Sequence, residues 1–225
     1  MASAGTELGA EVFTLLALAA ALRDTGFPHA LKLKYVWHCE NHGWKRNFVK
    51  GMHHTLKKKL GAACEPCFFD DIAKLKTAEA TCSATQCSRR TQSVGRRCAP
   101  EKPDIFFCEC KANLHAGSLG ELFDSNVEAV TGVIATYRPD IVFYEIGINH
   151  KTSDPDKCRE CALKVVEKWK TIGYTCHTLC TDTCRFGLPL IRKGVTIVAV
   201  NITDPGVITF EDRSLYGFSV PSKPS

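Results

Sequence analysis

The sequence lacks the two features that would place a protein in or across a membrane. The apolar stretch from Val12 to Leu22 is too short to span a lipid bilayer. Secretory signal peptides carry positive charge just before their apolar core. Here the residues before the apolar stretch include the acids Glu7 and Glu11 and no Lys or Arg. We therefore expect an intracellular protein that is neither secreted nor bound to a membrane.

A strong excess of charge of either sign is also absent. The formal net charge is +5, and 44% of the 225 residues are hydrophobic, as in ordinary soluble globular proteins. This mild positive charge is compatible with a polyanionic partner but does not establish one. A chain of this length can bury one sizeable core, so a second full domain is not expected.

Cysteine, in contrast, is abundant and odd in number. The 13 cysteines cannot all pair within one chain, and secreted disulfide scaffolds are usually shorter and poorer in apolar strands. We therefore expect free thiols in a reducing compartment. Cys64/Cys67 and Cys158/Cys161 have the spacing of zinc ligands. Because spacing supplies only part of a tetrahedral site, no metal is assigned, and zinc remains an alternative.

The first half of the chain contains a series of short predicted strands. We expect Met1 to Ala10 to be frayed, and Glu11 to Phe13 to form the first strand, followed by a helix from Ala17 to Arg23. A second strand, Lys34 to Glu40, ends on an acid, and a later strand, Pro103 to Cys110, ends on a cysteine. Strands that alternate with helices predict an α/β fold with a mostly parallel sheet.

The second half has the pattern of strand, helix and strand. Arg138 to Ile146 is rich in β-branched and aromatic residues and predicts a strand that carries Glu145 near its carboxyl end, where open α/β sheets bind their ligands. From Cys158 to Ile172 the apolar residues recur at helical spacing. Tyr174 to Pro189 predicts a further strand and turn, and Gly194 to Val200 predicts a buried strand.

Two blocks in this half resemble those of DNA (cytosine-5)-methyltransferases. Gly173 to Ala199 resembles the family's block that runs Gly-Tyr, a strand, Phe-Gly-Val-Pro-Gln-Arg-Arg and a second strand; here its middle is Phe-Gly-Leu-Pro-Leu-Ile-Arg. Arg138 to Glu145, Arg-Pro-Asp-Ile-Val-Phe-Tyr-Glu, resembles the family's strand that ends in Glu-Asn-Val. The resemblance implies a Rossmann-like S-adenosylmethionine-dependent methyltransferase fold over residues 1–205, with helices on both faces of the sheet. Residues 206–225 would form a C-terminal tail without the family's target-recognition domain.

The resemblance also implies S-adenosylmethionine as the cofactor. Phe13 matches the Phe that ends the family's first strand, although the two glycines that follow it in the family are missing here. Glu40 matches the acid that accepts the ribose hydroxyls, and a surface acid at a strand end is the alternative. Asp71 matches the acid that reaches the adenine amino group, and a helix N-cap is the alternative. Trp44 is a candidate to pack on adenine, unless it is a core residue.

By the same resemblance, three residues would carry the reaction. Cys110 matches the nucleophile, with Cys108 as the second choice, and its thiolate would add to carbon 6 of cytosine so that carbon 5 can take a methyl group. Glu145 matches the carboxylate that holds the ring's N3 and amino group. Arg192 matches one arginine of the Gln-Arg-Arg segment.

The partners follow from the resemblance as well. It implies DNA as the first choice and tRNA as the second, a nuclear location if the organism is eukaryotic, and a possible second chain that completes the domain. Residues 77–102 are polar and without periodicity, and we interpret them as an exposed insertion. The alternative function is a non-catalytic relative that keeps the fold and binds nucleic acid or a partner chain, since neither Cys108 nor Cys110 follows a Pro.

Overall fold

The computed structural model describes two compact units of the chain. Residues 1–5, 14, 17, 21, 24–26, 34–60, 66–75, 80–83, 98, 100–110, 119–147, 155–182 and 193–203 are described. The first unit comprises Met1–Glu109 and Glu128–Pro139, and the second comprises Cys110–Val127 and Asp140–Ser225. None of the helices in the described ranges combines the length and the apolar character that a bilayer crossing requires.

The first unit is built on short parallel strands. They are β1 (Ala2–Ala4), β2 (Trp37–Cys39), β3 (Cys67–Phe69) and β4 (Ile105–Cys110). Strand β1 pairs in parallel with both β2 and β4, and β2 pairs in parallel with β3. Every residue of β1, β2 and β3 is buried. Parallel strands are usually covered on both faces, which explains this continuous burial.

The helices of this unit follow the strands in the chain. Helix α1 (Gly43–Leu60) follows β2, and helix α2 (Ile72–Leu75) follows β3. Between β1 and β2, the residues Thr14, Ala17, Ala21 and Asp24 are helical. Gly26, with a φ of 74°, comes directly after this stretch. A left-handed glycine is a common helix terminator, so these residues agree with the helix predicted there.

Trp37 is at the centre of the first unit's core. It is fully buried, and its ring centroid lies 5.4 Å from that of Phe106 and 6.4 Å from those of Phe69 and Tyr137. Its indole Nε1 donates a hydrogen bond to the carbonyl oxygen of Glu101 at 3.0 Å. The one polar atom of the side chain is therefore satisfied, and the rest contributes apolar contact.

A cluster of polar side chains is buried in the same unit. Ser3 Oγ lies 2.7 Å from His38 Nδ1, and the hydroxyl of Tyr35 contacts both Ser3 Oγ and, at 3.3 Å, the same nitrogen. His53 of α1 packs on Tyr35, with 4.4 Å between ring centroids. Burial lowers the pKa of His38 to about 3, with further lowering by the nearby charges of His53 and Arg46. Burial also lowers the pKa of His53 to about 4.

The second unit is built on long antiparallel strands. They are β5 (Ile141–Gly147), β6 (Tyr174–Asp182) and β7 (Lys193–Asn201), and β7 pairs with both of the others. Helix α3 (Leu119–Tyr137) precedes β5, and helix α4 (Pro155–Thr171) connects β5 to β6. The buried ring of Trp169 on α4 meets that of Tyr144 edge-on at 5.4 Å. Gly173, with a φ of 87°, makes the turn into β6.

Within the first unit the strand order is β3-β2-β1-β4, and within the second unit it is β5-β7-β6. The order in the first unit is that of the Rossmann fold, 3-2-1-4, whereas the second unit has the antiparallel β7 between β5 and β6. The predicted fold class, an α/β fold with a mostly parallel, Rossmann-like sheet, is confirmed.

The prediction for the chain's opening is wrong. Ala2–Ala4 is not frayed, because it forms β1, which lies between β2 and β4. Its three small residues lack the β-branched and aromatic character that marks a strand in a sequence. The predicted first strand, Glu11 to Phe13, lies outside the described residues.

Of residues 77–102, which we expected to form an exposed insertion, only 80–83, 98 and 100–102 are described. At the positions described there, the apolar side chains are buried: Ala80, Cys82, Cys98 and Pro100. These residues therefore contribute to the core of the first unit.

Candidate functional site at the carboxyl edge of the parallel strands

The ends of β1, β2 and β3 form one edge in the first unit. The last residues of these strands, Ala4, Cys39 and Phe69, are directly opposite one another in the parallel register. Beyond them the ladder continues for one more step, because Gly5 N donates to the oxygen of Cys39 at 2.9 Å and Glu40 N donates to the oxygen of Phe69 at 3.1 Å. Gly5 and Glu40 are therefore fixed side by side at the edge where α/β sheets bind their ligands.

Gly5 has a backbone conformation that requires glycine. Its φ is 65°, in the left-handed region, and a Cβ built on it would lie 2.7 Å from the carbonyl oxygen of Glu109. The position excludes every other residue for two reasons, backbone strain and contact with the backbone of β4. The resemblance to the methyltransferase family directs attention to the positions after Phe13, which lies outside the described residues, and so it does not identify Gly5.

Glu40 is a buried acid held by a local turn. Its side chain is only 3% exposed, and its Oε1 accepts a hydrogen bond from His42 N at 2.9 Å. Arg46, one turn into α1, donates to the backbone oxygen of Glu40 at 2.5 Å. The carboxylate is therefore oriented by the backbone that leads into α1 and does not extend into solvent as a surface acid would.

Asp71 is the second residue after β3, and Asp70 lies between it and the strand. Its Oδ1 accepts a hydrogen bond from Ala73 N at 2.9 Å, and Lys74 Nζ lies 3.6 Å from its Oδ2. This is the geometry of a helix N-cap, the alternative interpretation of this acid, and it caps α2. The role of Asp71 toward adenine stays a prediction.

The acids near this edge act together on a buried thiol. Burial raises the pKa of the Cys39 thiol, and the neighbouring carboxylates of Asp71, Asp70 and Glu40 raise it further, while Arg46 opposes them. The three carboxylates are therefore close enough to Cys39 to share one negative field. Such a field favours hydroxyl, amino or cationic groups of a ligand over anionic ones.

Trp44 does not belong to the core. The side chain is 65% exposed, in the first turn of α1 and four residues after Glu40. Lys45 Nζ lies 5.7 Å from the centroid of its ring. A large exposed aromatic ring close in sequence to a buried acid can stack on a planar ligand, so the structure removes the core alternative for this residue.

Strand β4 carries the two candidate nucleophiles. Cys108 is buried, and its neighbour Glu109 is half-buried and opposite Gly5. Cys110 is the last residue of β4, and its side chain is not among those described. The choice of Cys110 over Cys108 stays a prediction, although burial disfavours Cys108 as a group that must reach a substrate.

The remaining predicted site residues belong to the second unit. Glu145 lies within β5, two residues before its last residue, Gly147, and pairs with Thr196 of β7. Its side chain is half-buried. Arg192 lies outside the described residues. The catalytic roles assigned to these residues stay predictions.

No family model and no curated protein matches the sequence. The chain is similar to the solved structure of a protein described as a DNA modification methyltransferase encoded within an E. coli prophage, with a TM-score of 0.47 and 11% identity, over 90% of this chain and 46% of that one. It is also similar to the structure of the S. pombe Dnmt2 methyltransferase, with a TM-score of 0.44 and 13% identity, over 99% of this chain and 57% of that one. A third similar structure is that of the Entamoeba histolytica methyltransferase EhMeth, with a TM-score of 0.45 and 12% identity, over 93% of this chain and 54% of that one. The chain spans about half the length of these three proteins, and its likeness to them is one of fold.

Proposed function

We propose that this chain binds S-adenosylmethionine at the carboxyl edge of β1 to β3 and transfers its methyl group to carbon 5 of cytosine in nucleic acid. The observation that carries the proposal is the pair of neighbouring strand ends occupied by Gly5 and Glu40. In Rossmann-like folds a glycine after the first strand lets a ligand approach the backbone closely. An acid after the next strand accepts the hydroxyls of a ribose.

The residues at this edge fit the parts of such a cofactor. His42 N occupies only Oε1 of Glu40, which leaves the second carboxylate oxygen for a ribose hydroxyl. The exposed ring of Trp44 is suited to stack on adenine. Gly5 carries no side chain where the methionine end would pass. The negative field of Glu40, Asp70 and Asp71 suits a ligand that is positively charged at its sulfonium.

The chemistry that we propose follows from the family resemblance. The bound cofactor supplies an electrophilic methyl group. The thiolate of Cys110 adds to carbon 6 of cytosine, which gives carbon 5 the electron pair that takes this methyl. A base then removes the proton from carbon 5, and the thiolate leaves as the ring double bond forms again. By the same resemblance, Glu145 holds N3 and the amino group of the ring, and Arg192 takes the part of one arginine of the family's Gln-Arg-Arg segment. DNA is the first candidate substrate and tRNA the second, and the target base must leave its stack.

Calorimetry with S-adenosylmethionine tests the binding step. We expect saturable binding by the wild-type chain. Glu40→Gln should weaken the binding about tenfold or more, because hydrogen bonds to charged groups contribute about 1.5–3 kcal/mol. Glu167→Gln, which changes an exposed acid on α4, is the matched control and should bind like the wild type. No heat and no thermal shift at saturating cofactor would remove the enzyme proposal.

Covalent trapping tests the transfer step. A DNA or RNA oligonucleotide that carries 5-fluorocytosine should form an adduct with the wild-type chain and cofactor, because fluorine at carbon 5 cannot be removed as a proton. Cys110→Ala should abolish the adduct and Cys108→Ala should retain it. The reverse pattern would transfer the nucleophile to Cys108. Comparison of the two oligonucleotides decides between DNA and RNA.

A non-catalytic relative is the second candidate. It is favoured by one observation in the sequence, the absence of the family's Pro before either cysteine. Its signature is cofactor or nucleic acid binding without any covalent adduct under the conditions above. Binding by wild type and its loss in Glu40→Gln, combined with no trapping, would assign this function.

A further inference from the structure

Three buried thiols converge at β3 in the first unit. The side chains of Cys67, Cys82 and Cys98 are at most 4% exposed, and their sulfur atoms all lie within 4.8 Å of one another. Cys98 Sγ lies 3.5 Å from Cys67 Sγ. No other such group of potential metal ligands occurs among the described residues. Neither Cys108 nor Cys110, the cysteines to which the methyl-transfer proposal assigns a role, is a member of this cluster.

The backbone holds these thiols together across a long stretch of sequence. Cys67 is the first residue of β3. The segment of Cys82 is attached to β3, because Ser83 N donates to the oxygen of Phe68 at 2.8 Å. Cys98 N donates to the oxygen of Ala80 at 3.4 Å. Three separate segments thus present their sulfurs to one point, which preorganises the cluster before any ligand binds.

The distances fit a tetrahedral metal site. Zinc binds thiolates at about 2.3 Å, which places two sulfurs on one zinc about 3.8 Å apart. The 3.5 Å between Cys67 and Cys98 and the 4.8 Å limit for the whole set bracket this value. A disulfide would require about 2.05 Å between two sulfurs, and these cysteines are free thiols. Small adjustments of the three side chains would therefore complete three of the four ligand positions.

The chemistry of the donors also suits a divalent cation. Thiols that bind a metal release their protons and become thiolates, and the cation balances their charge within the buried cluster. Lys50 Nζ donates a hydrogen bond at 2.9 Å to the carbonyl oxygen of Ser83, the residue that follows Cys82.

We propose that Cys67, Cys82 and Cys98 bind one zinc ion as a structural site. Soft thiolate donors select thiophilic metals of this kind over magnesium or calcium. The metal fastens the segments of Cys82 and Cys98 to β3, the strand at the end of the sheet order. The three thiolates occupy three positions of the tetrahedron, and a further donor completes it, as structural zinc sites require.

Metal content of the full chain tests this proposal, with no reference to methylation. Protein expressed with zinc present should contain about one zinc per chain by elemental analysis. Cobalt added to metal-free wild type should give thiolate-to-cobalt charge-transfer absorption in the near ultraviolet, together with visible bands of tetrahedral cobalt. Binding releases protons, so the metal should be lost as the pH falls.

Matched serine variants locate the site. Cys82→Ser should lose most of the metal and the charge-transfer band. Cys161→Ser, which removes a half-buried thiol on α4, should keep both. If Cys82→Ser does not fold, the wild-type cobalt spectrum and the Cys161→Ser control still decide the matter.

Three outcomes would overturn the proposal. They are folded wild-type protein that takes up neither zinc nor cobalt, equal metal retention in a folded Cys82→Ser, and loss of free thiols to a disulfide within the cluster in freshly prepared protein. Each of these results leaves the cofactor-binding and trapping experiments unaffected, so the two proposals fail separately.

Discussion

The two units differ in the length of their strands and in the number of polar side chains that they bury. In the first, β1, β2 and β3 have three residues each, whereas β6 and β7 in the second have nine. Most buried polar side chains of the described chain belong to the first unit: Ser3, His38, Glu40, His53 and Thr131. In the described part of the second unit, the corresponding residue is Asn201.

This difference indicates where chemistry can be placed. Long antiparallel strands satisfy their backbone through many paired residues and bury apolar side chains, so they form a stable scaffold. Short parallel strands satisfy less backbone, and the residues just beyond them, such as Gly5 and Glu40, must continue the ladder. Burying polar groups costs free energy unless they are paired, and we therefore expect the first unit to be the more sensitive to conditions.

The largest effect is expected from removing a buried tryptophan from each unit, which tests whether the two hydrophobic cores are equally well packed. Trp37→Ala and Trp169→Ala each remove a fully buried indole, one from each unit. Each should lower the free energy of unfolding by about 3–5 kcal/mol, as large-to-small changes of buried aromatics do. Urea denaturation followed by circular dichroism measures both. A small cost for either one would show that its unit is loosely packed and would break the comparison.

The second prediction concerns acid. His38 and His53 titrate near pH 6.5 when unfolded, but their folded pKa values are lowered to about 3 and about 4. At a pH between the folded and the unfolded pKa, the unfolded chain binds more protons than the folded chain. The contribution of each histidine to the free energy of unfolding is therefore fully present above about pH 6.5 and is lost as the pH falls. The loss should approach about 1.4 kcal/mol per pH unit for each histidine. Denaturation midpoints at several pH values measure this slope.

A pair of variants assigns that slope to the first unit. His38→Asn keeps an acceptor toward Ser3 and removes one titrating group, so the slope should decrease by one proton. Thr175→Asn, which introduces the same side chain at an exposed position on β6 of the second unit, is the control and should leave the slope as it is. Equal effects of both variants would mean that acid sensitivity is not concentrated in the first unit.

The third prediction concerns the glycine at the end of β1. Gly5→Ala forces a side chain into the left-handed region, at about 1–2 kcal/mol, and against the oxygen of Glu109. Gly51→Ala on α1 is the matched control, since a Cβ there meets nothing within 4 Å. It should stabilise the chain by about 0.5–1 kcal/mol, the usual gain within a helix. If both variants were stabilising, Gly5 would not have the constrained role described.

The smallest effect on folding is expected at Trp44. Because its side chain is 65% exposed, Trp44→Ala should change the free energy of unfolding by no more than about 0.5 kcal/mol. The same change should weaken S-adenosylmethionine binding in calorimetry if the ring stacks on adenine. A variant with unchanged affinity would remove Trp44 from the proposed site and leave the Glu40 assignment intact.

Much of the fold could be predicted from sequence because periodic patterns are local. The apolar spacing of α4 and the β-branched runs of β5 and β7 identify these elements, and the observed bounds differ from the predicted ones by a few residues. Strand β1 could not be found in this way. Its Ala-Ser-Ala sequence has no strand propensity of its own, and its place between β2 and β4 is decided by tertiary packing.

The candidate site was predictable only in part. Glu40 could be placed because it directly follows the apolar residues of β2, and Asp71 because it lies within two residues of the end of β3. Gly5 was missed together with the strand that precedes it. The thiol cluster was missed for another reason, because Cys67 and Cys98 are 31 residues apart and only folding brings them into contact. Spacing motifs detect ligands that are near one another along the chain and miss those assembled by the fold.

The brevity of β1, β2 and β3 has one more consequence. Three extended residues measure about 10 Å along the strand. In the strand direction, this part of the sheet is therefore shorter than the cofactor that we propose for its edge. Only Cys39 separates His38 in the interior from Glu40 at the rim. A substitution in the core of this unit therefore lies close enough to the edge to displace the residues that would bind the ligand. We expect natural substitutions at these interior positions to change ligand affinity as readily as they change the melting temperature.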